Sequence, residues 1–535
     1  MKRLGMAAAL ALVLCGTAQA EAPKVTLDEH NAIHLNGKKF LPIAVWAQPE
    51  DSFAMWKGLG VNLFITGSNP RREGTVASYL KAAEEHEVLV SVGYGWAKAA
   101  GLFDAVMKHP RVFTMHHPDE PDKPLKGSDA VVKPVSELHI NRRRPLLFMC
   151  DGQKNTSAVI DPLKGAAFTF KLKAPATVAK LAFTGKAKEG EPFPKRVAFL
   201  ADGKPVLEAP LEFKSTRQEF TLEAPVTLKD LTVKVLELYP TEKIYGAIIE
   251  IEALDAAGKN LLLAPARTVP NRGPEEILAG RKTVKAADPE RLLSLTLMAR
   301  FMNELKMERI SAETYREYPP ACDLLMFDLY PVSIWGKHLH WNAEGLKQLR
   351  ALAGPRKALG IWLQASDAMN AKDPGLTPTQ IRANTWMCLA NGATFIGYFP
   401  QTFKSGFKFH EINEARRTAL KAVNREVTEL ADLILAPPRT DLFTVEHEGG
   451  RVDVIQRQDG NRAMLAMVHV MESDEGAPAH LGAPPLGITI RPKAFKPAGP
   501  ATRYGTGAKL APEGGAWSLE LGPWETAVLL FDGSR

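Results

Sequence analysis

Residues 40–68, FLPIAVWAQPEDSFAMWKGLGVNLFITGS, contain two continuous apolar runs separated by a segment with helical spacing. The runs are FLPIAVWAQ (40–48) and VNLFITGS (61–68), and the helical segment DSFAMWKGLG (51–60) ends in glycine, a common helix terminator. Continuous apolar strands are typical of a parallel sheet buried on both faces. This stretch therefore predicts one strand–helix–strand unit of an α/β protein.

The same pattern repeats through the following hundred residues. Helical segments lead into the apolar runs VLVSVGYG (88–95) and RVFTMHH (111–117), and a fifth strand is predicted at PLLFMC (145–150). After that the pattern changes. Residues 152–265 show short alternating strands separated by Gly, Pro and Asp-Gly, which indicates an inserted antiparallel β-sandwich.

The α/β pattern resumes at residue 266 and continues to residue 437. PERLLSLTLMARFMNELK (289–306) is predicted to be helical, and strands six to eight are predicted at 322–332, 357–366 and 394–401. Eight strands with about eight helices favour a closed (β/α)8 barrel, or TIM barrel, over an open sheet. The barrel would comprise residues 21–151 and 266–437. Alternating segments in residues 438–535 predict a second, C-terminal β-sandwich.

The N-terminus has the features of a secretion signal. Lys2 and Arg3 precede an uncharged run and Ala18-Gln19-Ala20, so residues 1–20 are predicted to be a cleaved signal peptide and the protein to be periplasmic or extracellular. No other stretch is long and apolar enough to predict a membrane span. Cys150, Cys322 and Cys388 are too few and too scattered for a disulfide framework, and are expected to be buried.

Composition and motifs exclude several function classes. The formal net charge is +7, from 67 basic and 60 acidic residues, and no motif typical of nucleic-acid binding occurs. His116 and His117 are adjacent on a strand and would point to opposite faces, while His338 and His340 lack a third ligand with suitable spacing. GTGAK (505–509) resembles a phosphate-binding loop only superficially, because it lies in β-rich sequence without the strand–loop–helix context that such a loop requires. We therefore expect no metal and no cofactor.

The fourth predicted strand runs directly into acidic residues at 119–122. The stretches HPDEPD (117–122), FDLYPV (327–332) and LNGKKFLPIAVWAQPEDSF (35–53) resemble the glycoside hydrolase superfamily of (β/α)8 barrels, clan A-like, which carries an acid/base glutamate at the end of strand four. The insertion, through IYGAIIEIEALD (244–255), resembles galactose-binding-like, discoidin-type β-sandwiches. These resemblances imply a secreted glycoside hydrolase that acts on a poly- or oligosaccharide.

Glycoside hydrolysis needs one carboxylic acid and a second carboxylate. The resemblance assigns the acid to Glu120. Clan A relatives have a nucleophilic glutamate at the end of strand seven, where this sequence has Gln364, and an amide cannot serve as that nucleophile. Asp328, which ends strand six, is the best-placed substitute, and Glu50 and Glu313 are the other candidates. Retention and inversion both remain open.

Sugar sites combine aromatic platforms with amides and carboxylates. Residues of these types recur at the predicted strand ends, so we expect the substrate to be bound by Trp46, Gln48, Tyr94, Trp96, Asp119, Tyr330, Trp362, Gln364 and Tyr398. Arg71 and Arg72, after strand two, could hold a carboxylate or sulfate, which leaves an anionic carbohydrate open as the substrate. The sequence does not indicate an oligomeric state.

Two alternative functions stay open. The absence of a carboxylate at Gln364 favours a non-catalytic carbohydrate-binding protein on a degenerate glycosidase barrel. A polysaccharide lyase is the other alternative, and it would release an unsaturated product.

Overall fold

The computed structural model describes residues 22–66, 76–128, 131–135, 138–140, 144–263, 266–305, 307, 309–366, 369, 375–404, 406–472 and 483–534. The predicted signal peptide, residues 1–20, and Arg71 and Arg72 lie outside this part of the chain. The described residues form two compact units. The first lies within Met1–Pro121, Pro274–Met307 and Ser311–Arg535, and the second is centred on Asp122–Gly273.

A closed barrel of eight parallel strands is the centre of the first unit, which confirms the predicted barrel. The strands, in chain order, are Ile43–Trp46, Leu63–Ile65, Leu89–Gly93, Val112–His116, Leu293–Met298, Leu324–Asp328, Ala358–Gln364 and Phe395–Phe399. Inward-facing residues such as Ala44, Phe113 and Met326 form its core. A small antiparallel sheet, residues 25–39, adds Val25 and Ile33 to this core.

Helices follow the strands, as the period of the apolar residues predicts. The described α-helices of the first unit are Phe53–Gly58, Val76–Glu85, Tyr94–Ala99, Phe103–Lys108, Pro274–Ala287, Ala312–Glu317, Pro331–Trp335, Trp341–Ala353, Pro378–Ala390, Glu414–Glu429 and Ala431–Ile434. Thr377 and Gln380 form a reciprocal capping box at the start of Pro378–Ala390, which satisfies two backbone donors there. None of the described helices has the length and hydropathy that crossing a membrane requires.

Two predicted elements of the barrel were wrong. Residues 145–150 are not the fifth strand: Leu146–Met149 is a short 3-10 helix that packs in the core of the second unit. The fifth strand is instead Leu293–Met298, which lies within the segment predicted to be helical. The second unit is therefore inserted after strand four and begins at Asp122, where residue 152 was predicted. The chain returns to the first unit at Pro274, where residue 266 was predicted.

The second unit is built mainly of antiparallel strands, as predicted. Its described strands are Pro124–Ser128, Val131–Pro134, His139–Ile140, Ala158–Asp161, Ala167–Gly185, Pro194–Ala201, Lys204–Pro210, Gln218–Leu238, Gly246–Leu254 and Ala266–Pro270. Ala167–Gly185 and Gln218–Leu238 are longer than the short strands that the sequence predicts, because register shifts between Lys171 and Lys180 let the paired strands bend without breaking.

The C-terminal β-region packs two sheets around one apolar core. One sheet contains Pro438–Arg439, Arg451–Asp459, Arg462–Val470, Ala501–Arg503, Lys509–Leu510 and Thr526–Asp532, and the other contains Phe443–His447, Leu486–Pro492 and Trp517–Leu521. Leu465 and Phe531 of the first sheet share the core with Ile490 and Trp517 of the second. Arg382 joins this region to the barrel helices, because it binds Glu426 and the Thr526 carbonyl.

Glu250 is a buried carboxylate in the core strand Gly246–Leu254 of the second unit. Its Oε1 accepts a hydrogen bond from the Gly152 amide (3.2 Å), and its Oε2 has no hydrogen-bond partner among the described residues. Burial, and then the negative charge of Asp151, raise the pKa of Glu250 from 4.5 to about 8. At neutral pH, Glu250 is therefore mostly protonated in the folded chain and ionised in the unfolded chain.

This buried carboxylate predicts a pH dependence of stability. Between pH 4.5 and about 8 the folded state binds more protons than the unfolded state, so the free energy of unfolding falls as pH rises through that window, by on the order of 3 kcal/mol. Calorimetry of the wild type and Glu250→Gln at pH 5 and pH 8.5, in EDTA to exclude bound cations, should show a smaller loss of thermal stability in the variant. The exposed Glu223→Gln is the control, and equal losses in all three proteins would contradict the assignment.

Candidate active site

A cleft of about 480 Å³ opens at the carboxyl ends of the barrel strands, where barrels of this type build their sites. All its lining residues belong to the first unit. They are Trp46, Asp119, Glu120, Thr296, Met298, Ala299, Arg300, Leu305, Met307, Asp328, Leu329, Tyr330, Ile334, Trp335, Trp362, Met369, Phe399, Gln401 and Phe403. Six of the residues predicted from sequence are among them: Glu120, Asp328, Trp46, Asp119, Tyr330 and Trp362.

The register of three neighbouring strands fixes one wall of the cleft. Met298 of strand five pairs with Asp328 of strand six, which in turn pairs with Trp362 of strand seven. Side chains alternate along a strand, so Asp328 lies on the same face as the inward-facing Leu324 and Met326. The carboxylate of Asp328 is thus held at the end of an otherwise apolar strand and lines the cleft beside an indole.

Asp119 and Glu120 lie three and four residues after the end of strand four. Glu120 has a backbone φ of +45°, in the left-handed region that a non-glycine residue rarely adopts. Backbone strain of this kind concentrates at functional sites, where the surrounding structure holds a side chain in a required position. The buried strand Val112–His116 therefore delivers a constrained carboxylate to the cleft.

Strands four and six are not on opposite sides of the barrel. Strand four pairs with strand five, and strand five pairs with strand six, so the loop carrying Glu120 and the strand end carrying Asp328 flank a single strand. Adjacent strands are spaced about 4.8 Å apart, so the two strand axes are roughly 10 Å apart. Both carboxylates consequently approach the cleft from neighbouring positions on its rim.

Tyr330 is buried among the carboxylates. Burial, followed by the negative charges of Asp328, Asp119 and Glu120, raises the pKa of Tyr330 well above its ordinary value of 10. Its hydroxyl is protonated at neutral pH, as that of any tyrosine is, and the raised pKa keeps it protonated in more alkaline solution; it can donate a hydrogen bond to a carboxylate or to a substrate oxygen. Arg300 supplies a guanidinium to the same cleft.

Two tryptophans form an aromatic corner in the cleft. The rings of Trp46 and Trp362 meet edge to face with centroids 5.1 Å apart, and Trp362 Nε1 donates a hydrogen bond to Thr296 Oγ1 (3.1 Å). Trp362 is only 2% exposed. Gly397 makes room for its ring, because a Cβ at this position would lie 2.3 Å from Trp362 Cε3. The position of Trp362 thus depends on the absence of a side chain at Gly397.

The two adjacent histidines, His116 and His117, are buried in neutral form. His116 Nδ1 donates to the His117 carbonyl (2.9 Å), and its Nε2 is 3.1 Å from Thr66 Oγ1. His117 Nε2 donates to the Ala321 carbonyl (2.8 Å), and burial lowers the pKa of His117 to about 4. The two rings make separate contacts, as predicted from their alternation, and neither lines the cleft.

Five residues predicted to bind substrate do not line the cleft. Tyr398 faces outward from strand eight, is 1% exposed, and donates to Asn424 Oδ1 (2.7 Å). Gln48 is buried and bonds the carbonyls of Trp46 and Phe409. The expectation of substrate contact is corrected for both, because their polar groups are satisfied inside the fold.

Gln364, Tyr94 and Trp96 are the other three. Gln364 lies on the inward row of strand seven but is buried and does not line the cleft. Tyr94 and Trp96 belong to the helix Tyr94–Ala99, where the Tyr94 ring packs edge to face with His117 (5.5 Å). This helix starts directly after strand three, and neither of its two aromatic residues lines the cleft, so the expectation of substrate contact is corrected for both.

The alternative carboxylates also lie outside the cleft. Glu50 Oε1 accepts a hydrogen bond from Ser78 Oγ (2.8 Å), and Glu313 is an exposed residue near the start of the helix Ala312–Glu317. Of the three carboxylates considered as partners from the sequence, Asp328 is therefore the one that lines the cleft with Glu120 in the described part of the chain.

Sequence reasoning missed several cleft residues. Thr296, Met298 and Arg300 were overlooked because their segment was predicted to be helical. Gln401, which the sequence suggested as a sugar-binding amide after strand eight, does line the cleft. The alternation in LLSLTLM was the signal that could have revealed the strand. No group of three or more potential metal-ligating residues occurs in the part of the chain that the structure describes.

Comparisons with known proteins find partial likenesses. No protein-family model matches the chain, and no curated protein matches it. A family 32 carbohydrate-binding module of NanJ from C. perfringens, solved with galactose, is 15% identical, with a TM-score of 0.20 over 23% of this chain and 90% of the module. The family 32 module of Streptococcus pneumoniae EndoD is 17% identical, with a TM-score of 0.21 over 24% and 95%.

A third similar structure is the family 32 module of AlyQ in complex with 4,5-unsaturated mannuronic acid, 12% identical, with a TM-score of 0.19 over 24% of this chain and 95% of the module. Each of these similarities covers about a quarter of the chain. At these TM-scores and identities they carry no functional argument, so the function has to be inferred from the cleft itself.

The contact between Gly397 and Trp362 yields a testable prediction. Gly397→Ala forces the Trp362 ring out of its position, so we expect the free energy of unfolding in urea to fall by about 1–3 kcal/mol and the near-UV circular dichroism to change. Gly95→Ala, at an exposed helical position where a Cβ meets no neighbour, is the matched control and should be neutral or stabilising by up to about 1 kcal/mol, because alanine favours a helix more than glycine does. An unchanged Gly397→Ala protein would contradict this packing.

Proposed function

We propose that the barrel cleft hydrolyses glycosidic bonds, with Glu120 as the general acid and Asp328 as the partner carboxylate. The observation that carries the proposal is that both residues, chosen from sequence, line one cleft at the carboxyl ends of the barrel strands. Such a cleft brings a proton donor and a second carboxylate to one bound substrate. A volume of about 480 Å³ is typical of a small-molecule site.

In this proposal each polar group has a distinct role. Glu120 protonates the oxygen of the leaving group, and Asp328 either activates water or attacks the anomeric carbon. The hydroxyl of Tyr330 is protonated and can donate a hydrogen bond to a neighbouring carboxylate or to the substrate. Trp46, which is partly exposed, presents its indole to the C–H groups of the sugar, and the buried Trp362 supports it edge to face.

The substrate we propose is a carbohydrate outside the cytoplasm, in keeping with the predicted signal peptide. Arg300 lines the cleft together with three carboxylates and is the group that would hold an anionic substituent there. This gives the possibility of an anionic substrate a physical basis within the described residues, independent of Arg71 and Arg72.

A non-catalytic carbohydrate-binding protein is the second candidate. It is favoured by Gln364, which occupies the strand-seven position where clan A-like hydrolases have their nucleophile. In the structure Gln364 is buried and outside the lining of the cleft. In the proposed hydrolysis, Asp328 has to act as the nucleophile or general base in place of the missing glutamate. Binding of a carbohydrate without hydrolysis needs no such group.

Measurement of reducing-end release on a broad panel of glycans tests the proposal. We expect turnover of at least one glycan by the wild type, with losses of about 100-fold or more in Glu120→Gln and Asp328→Asn. Glu313→Gln, a surface glutamate on Ala312–Glu317, is the matched control and should retain full activity.

Other outcomes distinguish the alternatives. Turnover that Glu120→Gln leaves unchanged would contradict the assignment of the acid. Binding of a glycan without turnover of any would support the non-catalytic candidate, and a product that absorbs in the ultraviolet would indicate a lyase.

A further inference from the structure

The barrel cleft has an apolar rim that the proposed chemistry does not use. Nine large hydrophobic residues are exposed in the described part of the chain, and three of them, Met307, Ile334 and Phe403, line this one cleft. Their exposures are 45%, 55% and 54%. A fourth, Phe407, packs against Phe403 with ring centroids 5.5 Å apart. We call Met307, Ile334 and Phe403 the apolar lip.

The lip is assembled from three separate loops at the same end of the barrel. Met307 follows strand five, Ile334 lies on the short helix Pro331–Trp335 after strand six, and Phe403 follows strand eight. The backbone at Phe403 is fixed, because its amide donates to the Met369 carbonyl (2.8 Å). Thr402 and Lys408 pair through two backbone hydrogen bonds in the same loop. Three independent segments thus converge on one apolar surface.

The cleft is consequently amphipathic. Its polar part contains Asp119, Glu120, Asp328, Arg300 and Gln401, whereas the lip exposes only hydrocarbon, thioether and phenyl groups. Binding is favoured when an apolar part of the ligand covers apolar surface of the site and removes both from water. The ligand that matches both parts has hydroxyl groups at one end and an apolar group at the other.

The residue types in the apolar lip indicate which ligand group it can bind. A sugar ring binds best against a flat aromatic face flanked by hydrogen-bonding groups, and the partly exposed Trp46 can provide such a face beside the polar part of the cleft. Ile334 and Met307 have no π face, Ile334 has no polar atom, and the Met307 thioether is only a weak hydrogen-bond acceptor. The lip is therefore better suited to an aliphatic or aryl group than to a second sugar.

We propose that the apolar lip binds the aglycone of a glycoside, so that the substrate class is a sugar carrying an aryl or alkyl group. This inference rests on the proposed function. In the overall reaction water adds across the bond between the anomeric carbon and the glycosidic oxygen. Glu120 gives its proton to the aglycone oxygen, which leaves as an alcohol or phenol, and the water oxygen becomes the new anomeric hydroxyl. The carboxylate pair regains one proton from that water.

Binding, not rate, is the appropriate readout, because aryl groups also differ from alkyl groups as leaving groups. In the Glu120→Gln protein, fluorescence of the cleft tryptophans Trp46, Trp335 and Trp362 reports ligand binding. The ligands are methyl, hexyl and phenyl glycosides of glucose, galactose, mannose, xylose and glucuronic acid. For the sugar that binds, we expect the phenyl and hexyl glycosides to bind at least about tenfold more tightly than the methyl glycoside.

Substitutions in the lip test its role directly. In the Glu120→Gln background, Ile334→Ser and Phe403→Ser should each remove most of this tenfold preference and change the dissociation constant of the methyl glycoside less than about twofold. Phe213→Ser is the matched control, because Phe213 is a similarly exposed phenylalanine, at 43%, in the second unit. It should leave the preference intact.

Two results would overturn the proposal. One is equal affinity for methyl, hexyl and phenyl glycosides. The other is a dimer in light scattering that Ile334→Ser converts to a monomer, since the lip would then be an interface between two copies of the chain. Tight phenyl glycoside binding that depends on the lip, with no hydrolysis by the wild type, would instead uphold the lip and refute the proposed hydrolysis.

Discussion

The parallel register of barrel strands five, six and seven is the constraint on which the cleft depends. It sets Met298, Asp328 and Trp362 side by side at the carboxyl ends of their strands. Because the strands below them are buried, a slip of one residue would turn Asp328 out of the barrel and an apolar side chain into the cleft. The same packing that stabilises the barrel therefore fixes the position of a carboxylate at its mouth.

The fold brings carboxylates from two different strand ends into the same cleft. Asp119 and Glu120 come from the end of strand four, and all three acidic groups lie close enough to Tyr330 to raise its pKa. Glu120 also precedes the second unit by only two residues and has a strained backbone. The amphipathic cleft that results has a polar part for chemistry and an apolar lip, which together describe the kind of molecule it can hold.

Sequence periodicity predicted the barrel and the β-rich regions, because continuous buried strands and alternating strands leave different patterns. It failed where an apolar run was short. Residues 145–150 form such a run, and their contacts in the second unit make four of them a 3-10 helix, whereas the alternation in residues 293–298 was misread as helical spacing. In the cleft, sequence identified which residues follow strands but not which way they face. Phe399 lines the cleft while its neighbour Tyr398 points to Asn424, a difference set by the alternation of the strand.

The central claim is that Glu120 and Asp328 act on one bound glycoside as a pair. The most direct test is kcat/KM of the double variant Glu120→Gln/Asp328→Asn, compared with both single variants on the same glycoside. Residues that act as a unit give strongly non-additive losses. The account predicts a double variant about as slow as the slower single variant. Losses that multiply would show that the two carboxylates act independently and would contradict it.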